Sequence, residues 1–266
     1  MEHKAKKSLG QNFLTSHTAL SAMCKAGNVQ KGDIVLEIGP GKGALTEVIL
    51  SFGAKVIAIE KDHDLIPLLE EKFKIALENK DLILIEGDIM DFDPKKYELK
   101  PKAYKVIANI PYYITGLIIR LFLESEVQPE NMVLLVQKEV ADRIVARDKK
   151  ESILSLSVKA YAEPKYILKV SKKLFRPVPK VDSAIIAINN ISKNNFNDKT
   201  EEENYFNFMK LGFAHKRKML IGNLSQNFNR DELLTAFKNL KIDANTRAED
   251  VSPTTWSKLA KTFYKI

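Results

Sequence analysis

Asn109-Ile110-Pro111-Tyr112 sets a carboxamide, a proline-restrained carbonyl and an aromatic ring side by side. That set suits methylation of an amine. The exocyclic N6 of an adenine is a poor nucleophile because its lone pair is delocalised into the ring. A site helps by accepting from the two N–H hydrogens while the nitrogen moves toward tetrahedral geometry. The Asn109 oxygen and the Ile110 carbonyl, aimed by Pro111, are the candidate acceptors, and Tyr112 offers a face on which an extruded base can stack. Neither a metal nor a strong base is required. A bland alternative is an Asx-turn followed by a proline-punctuated loop; what favours chemistry is that the motif ends a predicted strand in a sheet with further ligand signals.

The first of these signals is Glu37-Ile-Gly39-Pro-Gly41-Lys-Gly43, glycines between a predicted strand and a predicted helix, where the chain must turn sharply and let a ligand approach its backbone. With Ala44 the loop also satisfies the dinucleotide pattern, so taken alone it fits a nicotinamide-dependent dehydrogenase as well as an S-adenosylmethionine (AdoMet) site. Glu60, 21 residues after Gly39, ends the second strand, where a carboxylate can accept from both ribose hydroxyls. Glu86-Gly87-Asp88-Ile89 puts another acid at the end of the third strand, placed for an adenine amino group. One glycine loop and two strand-end acids fit an adenosyl cofactor.

The elements that must carry these residues follow from hydrophobic period. β-Branched runs at 34–38, 56–59, 82–85, 105–108 and 132–136, with later runs at 155–160 and 184–188, alternate with amphipathic stretches, the pattern of a mostly parallel α/β sheet covered by helices on both faces. Leu65, Leu68, Leu69, Phe73 and Ala76, and likewise Leu117 and Leu121, recur at helical spacing and are expected in the core. Residues 189–204 are polar and rich in Asn and charge. The chain therefore divides into an α/β domain (1–190), a linker (191–203) and a small all-α domain (204–266), with helices expected at 205–213, 218–224, 231–240 and 254–263.

The chain has 266 residues, 45% of them hydrophobic and 29% charged, which excludes a disordered or collagenous protein. Its single cysteine, Cys24, excludes an intrachain disulfide or a CxxC clamp and suits a reducing cytoplasm. No secretory signal follows the polar N-terminus, and no apolar run approaches spanning length, so a soluble protein without a membrane partner is expected. Of the net charge of +8, residues 204–266 carry +6, from eleven Lys/Arg against five Asp/Glu, and only +2 is left for the first 203. A basic C-terminal end favours a polyanion such as nucleic acid. His3, His17, His63 and His215 show no metal-ligand spacing, and no metal is expected.

Taken together, these motifs resemble the KsgA family of ribosomal RNA adenine N6,N6-dimethyltransferases, which is related to the Erm methyltransferases. The resemblance starts at Ser8-Leu-Gly-Gln-Asn-Phe-Leu14 and runs through Glu37–Gly43, Glu60, Gly87-Asp88 and Asn109–Tyr112. It continues through residues 137–143, 175–184 and 213–220, so it is nearly full length. It implies a Rossmann-like class I AdoMet-dependent methyltransferase sheet with a C-terminal helical RNA-binding domain, and dimethylation of two adjacent adenosines in the 3′-terminal hairpin of small-subunit (16S) rRNA, coupled to subunit maturation. S-adenosylhomocysteine (AdoHcy) would be the product, and a pre-ribosomal 30S particle the partner of a monomeric cytoplasmic enzyme.

By the same resemblance, Gln11, Asn12, Leu14, Gly39, Gly41, Glu60, Asp88, Ile89 and Asn109 bind the cofactor, while Asn109, Ile110, Pro111 and Tyr112 are catalytic. Tyr112 and Phe175 would wall a base slot, and Lys216, Arg217 and Lys218 would meet RNA from a basic helix, with Lys4, Lys6 and Lys7 extending the track. Read without the family, residues 11–14 are only a helix entry with Thr15 or Ser16 as a cap candidate, and for Phe175, set before the restraining prolines of Arg176-Pro-Val-Pro, a core phenylalanine ahead of an edge strand is the bland alternative to the slot wall. Tyr113 stands where many relatives carry Asn, and Lys216 replaces an expected arginine without that residue's bidentate fork. An Erm-type enzyme acting on large-subunit rRNA and a non-catalytic RNA-binding assembly or transcription factor on the same scaffold are the rival readings.

Overall fold

A computed structural model describes residues 5, 6 and 9–264. Lys4, Lys7, Ser8 and His3, named above, lie outside the described residues. Among the described residues nine strands run in chain order as β1 (Phe13–Leu14), β2 (Ile34–Ile38), β3 (Lys55–Glu60), β4 (Leu82–Glu86), β5 (Lys105–Asn109), β6 (Met132–Gln137), β7 (Glu163–Val170), β8 (Phe175–Arg176) and β9 (Ser183–Asn189). Seven form one sheet in the order β4-β3-β2-β5-β6-β9-β7, and β1 pairs with β8. Strands β2 to β6 are mutually parallel, whereas β9 and β7 are antiparallel additions at one edge. The central strands are covered on both faces, which is why their sequences are almost continuously apolar. Chain order reverses between β2 and β5. In open α/β sheets a ligand crevice forms at such a switch point, outside the carboxyl ends of the strands, and the glycine loop and Asn109 follow these two strands.

By contacts the chain forms two units, one comprising residues up to Ala141 with Glu163–Ile191, the other Asp142–Ala162 with Ser192 onward. The core of the first includes Leu20, Met23, Val35, Ile49, Phe73 and Ile185. The second unit differs from the division at 191–203 in two ways. A helix of Lys199–Gly212 begins inside the expected linker, started by Asp198, whose carboxylate accepts from Glu201 N at 2.8 Å. Residues 142–162 also join the C-terminal helices, with Tyr161 O accepting from Ser192 N at 2.7 Å.

Three local expectations are corrected. Residues 155–160 are not a strand but part of the helix Ile153–Lys159, because Ser152 and Ser155 form a reciprocal capping box. The edge strand β7 was not foreseen; its Lys and Pro residues hide the alternation, and a bulge between Tyr166 and Leu168 breaks it. In the helix Thr115–Glu124 the core face is Ile118, Ile119, Phe122 and Leu123, and Leu117 is exposed. The C-terminal helices Leu220–Leu224, Arg230–Asn239 and Pro253–Tyr264 match expectation closely.

Candidate active site

A cleft of ≈ 1100 Å³, measured to its open mouth, lies at the switch point. Its walls include the glycine loop, Glu60, Asp88, Ile89 and Asn109–Tyr112, with residues 9–14 crossing its rim. The elements explain the convergence: four of the parallel strands, β2 to β5, each deliver some of these residues from their carboxyl ends.

Gly39, Gly41 and Gly43 have φ of 66°, 60° and 76°, a left-handed run that carries β2 into the helix Ala44–Ser51. A Cβ on Gly43 would lie 2.4 Å from the Phe73 ring, and one on Gly41 2.9 Å from Phe13, whereas one on Gly39 would meet nothing within 4 Å. Gly39 therefore bares its backbone to the cleft. Glu60 is buried and holds the loop: Oε2 accepts from Gly41 N at 3.0 Å and Oε1 from Asp62 N at 2.8 Å. Each oxygen keeps a second lone pair. Burial raises its pKa, against the opposing pull of those backbone N–H groups.

Glu37 is buried. Oε2 accepts from Thr46 Oγ1 at 2.7 Å, but Oε1 is buried without a hydrogen-bond partner. Desolvation pushes its pKa up to about 8. A buried, half-partnered carboxyl facing a cleft fits a cationic ligand group. At the opposite end Asp88 caps the turn Ile89–Asp91 by accepting from Met90 N at 3.0 Å, and its other oxygen takes Lys61 Nζ at 2.6 Å. The Lys61 ammonium holds this carboxyl below its usual range.

Asn109, half-buried at the end of β5, donates from Nδ2 to the Asn12 carbonyl at 3.2 Å. That bond fixes the amide's orientation, so Oδ1 faces away from its donor side as an acceptor. Pro111 O accepts from Ile114 N at 3.2 Å to close the next turn. Tyr112 is half-buried, with its hydroxyl 2.7 Å from Ser183 Oγ, and Tyr113 beyond it is 66% exposed. Its ring lies against Gly10, 3.3 Å from where a Cβ would stand.

The strap of residues 9–14 turns at Leu9 and Gly10, becomes extended at Phe13–Leu14 and leads into a helix at the cap the sequence offered. Phe13 and Leu14 pair with Arg176 and Phe175, and Ser16 caps the helix His17–Ala26 that follows. Asn12 and Leu14 reach the cleft. Gln11 lines it too, but its side-chain amide is engaged elsewhere: Nε2 donates to Asp62 Oδ2 at 2.7 Å and Oε1 accepts from Lys6 N at 2.7 Å. Lys6 Nζ sits between Asp62 Oδ1 at 2.5 Å and Asp64 Oδ2 at 2.6 Å. These acids and His63 bring possible metal ligands within 4.8 Å of one another, but the ammonium already balances them. Sequence reasoning missed Asp62; its only signal was the acid-rich stretch after Glu60.

Four expected RNA residues are placed differently. Phe175 is fully buried and does not wall an open slot, because pairing with β1 turns its ring into the core beside Leu14. Lys216, Arg217 and Lys218 are exposed but lie on a turn between two helices, not on a basic helix. Phe213 stacks on Trp256 at 5.5 Å where the first helix ends, and the Asn223 amide then donates to Gly212 O at 2.6 Å and to His215 O at 3.2 Å. The turn leaves all three cations without an acidic partner among the described residues.

Comparison with known proteins adds sequence to this geometry. The sequence model of the family described as "Ribosomal RNA adenine dimethylase" matches residues 2–265. Ribosomal RNA small subunit methyltransferase A of Dehalococcoides mccartyi (strain CBDB1) is 40% identical over 96% of this chain and 87% of its own. The protein of that name from Fusobacterium nucleatum is 36% identical over 99% of both. A dimethyladenosine transferase from Plasmodium falciparum superposes with a TM-score of 0.79 at 26% identity, covering 95% of this chain and 98% of its own. The 23S rRNA methyltransferase ErmE shares the fold, with a TM-score of 0.78 at 24% identity over 94% and 98%.

Proposed function

Because the chain belongs to the ribosomal RNA adenine dimethylase family, we propose that its cleft binds AdoMet and that it dimethylates N6 of two adjacent adenosines in the 3′-terminal hairpin of small-subunit rRNA during subunit maturation. The observation that carries this reading is the free acceptor Asn109 Oδ1 at the rim of a cleft built for an adenosyl group. The cleft's residues fit that ligand. Gly39 offers open backbone, Glu37 an orphaned buried oxygen toward a cationic amino-acid end, Glu60 spare lone pairs toward ribose, and Asp88 with Ile89 a polar-apolar pair at the base.

When bound, AdoMet supplies an electrophilic methyl on its sulfonium. The chain supplies position and acceptors. Tyr112, braced by Ser183, presents a stacking face that offsets part of the few kcal/mol needed to unstack an adenosine, since stacking contributes roughly 1–3 kcal/mol per base. Asn109 Oδ1 accepts one N6 hydrogen and the Ile110 carbonyl the other, drawing the nitrogen lone pair out of the ring and into line with the methyl group. After transfer the proton leaves to solvent through the open mouth. Repetition on both adenosines would give four transfers, each using one cofactor. The cations at 216–218 support phosphate contacts that orient structured RNA. We place the monomeric enzyme, without a metal, in the cytoplasm on a 30S precursor; no described helix is long and apolar enough to cross a membrane.

The small-subunit target is preferred to a large-subunit one because relatives at 36–40% identity bear the small-subunit name. Tritiated-methyl transfer to undermethylated subunits tests this: label should enter small and not large subunits. Asn109→Ala should reduce transfer at least about a hundredfold, by analogy with loss of one preorganised hydrogen-bonding group, while binding of undermethylated small subunits persists. Label in large subunits, or unimpaired transfer by the variant, would refute the reading. Failure of the wild type to bind AdoHcy would favour a non-catalytic assembly factor.

A further inference from the structure

We infer that the 12-residue connection between β7 and β9, residues 171–182, is a second RNA-backbone contact, one that grips phosphates beside the extruded adenosine from the catalytic unit itself. The inference rests on the rRNA reading above and deepens it.

The loop's location comes from strand register. β7 and β9 pair antiparallel up to Val170 opposite Ser183, and Ser183 also lies opposite Gln137 at the carboxyl end of β6. The hairpin loop therefore leaves the sheet at the edge where the cleft opens. Ser183, at its foot, is the residue that holds the Tyr112 hydroxyl at 2.7 Å. Within the loop, β8 is tied to the strap crossing the rim, and Leu174 O accepts from Thr15 N at 2.9 Å and from Thr15 Oγ1 at 2.8 Å.

The loop's charge is one-sided. Lys172, Lys173, Arg176 and Lys180 are exposed, and the only acid, Asp182, is already balanced. Its Oδ2 takes Lys169 Nζ at 2.9 Å, and its Oδ1 accepts from Lys172 N at 3.0 Å. None of the four loop cations forms an ion pair at contact distance among the described residues, although the Lys172 charge also acts on Asp182. Lys172 Nζ and the Arg176 guanidinium instead donate to loop carbonyls, at 3.3 Å to Lys180 O and 2.9 Å to Phe175 O, which leaves donors pointing outward. Exposed Leu174, Val178 and Val181 lie between them, apolar surface suited to ribose and base edges.

The loop is also anchored. Phe175 is fully buried beneath it and Leu174 N donates to Ser171 O at 3.0 Å, so a cation array stands on a fixed base and little ordering accompanies binding. Charge totals hide it: the first 203 residues are nearly neutral overall, because acids elsewhere cancel this local excess. A polyanion threaded past Tyr112 meets these four cations, and an RNA backbone has the required charge density.

The test is binding of undermethylated small subunits at about 50 and about 200 mM salt, where the slope counts phosphate contacts. The variants are Lys173→Gln, Lys180→Gln, and a quadruple variant that adds Lys172→Gln and Arg176→Gln. Each neutralised contact should make the log-log salt slope shallower by about one. The quadruple variant should lose about tenfold or more in affinity at low salt, while AdoHcy affinity stays unchanged. Lys173→Arg and Lys180→Arg should restore binding. Unchanged slope and affinity in the quadruple variant would overturn the inference and leave the rRNA reading standing. A wild type that does not bind small subunits would overturn both.

Discussion

Asn109 and Glu37 show how one residue's surroundings determine its chemistry. A backbone carbonyl in the strap takes the Asn109 N–H and so leaves the amide oxygen committed to acceptance, as the proposed role requires. Glu37 is held neutral by burial. Its pKa rises from the ordinary 4.5 to about 8, so the folded state binds a proton that the unfolded chain releases between those values. Stability contributed by this group is therefore present below pH 4.5 and lost as pH climbs through about 8. Glu37→Gln should remove that decline, and denaturant unfolding between about pH 5 and about pH 9 should show wild type losing up to a few kcal/mol more than the variant. Parallel curves would contradict the assignment. Glu60, also shifted upward, stays in both proteins and adds the same slope to each. The strand-end acids and the Asn-Ile-Pro-Tyr motif were legible in sequence because each is adjacent to the strand that places it. The orphaned Glu37 oxygen was not, since burial of one atom depends on contacts from distant parts of the chain.

Among the elements, the strap of residues 9–14 matters most for the cleft. It is fixed by the Lys6–Gln11–Asp62 clasp, by Phe13 against Gly41, and by pairing with β8. Asp62 is buried, and its backbone N–H also holds Glu60, so the clasp and the proposed ribose acceptor share one turn. Lys6→Met should loosen the strap and raise KM for AdoMet about three- to tenfold, with less effect on kcat, as expected for a partly buried charge-assisted pair. Asp62→Asn, which retains one acceptor oxygen, should be milder than Asp62→Ala. Equal KM values across wild type and these variants would show that the clasp has no part in holding cofactor. Sequence could not disclose β1, because two residues have no period and their partner lies more than 150 positions away. β7 was obscured by lysines on an edge strand, and residues 155–160 by β-branched and serine residues whose capping box favours a helix.

For the whole molecule, the alternating strands and the polar segment near 190–204 disclosed an α/β unit followed by helices, while the return of residues 142–162 to the second unit did not, as long-range packing leaves no local pattern. Charge followed the same rule: the +6 at the C-terminal end was countable, but the four-cation hairpin loop appeared only when the fold gathered it at the cleft edge. The account requires that the whole assembly deliver one chemical outcome. Small subunits lacking the modification, incubated with the enzyme and AdoMet, should yield N6,N6-dimethyladenosine at two neighbouring positions of the 3′-terminal hairpin, read by mass spectrometry of digested rRNA. Methyl groups on any other atom or on large-subunit rRNA alone, or none at all, would contradict it.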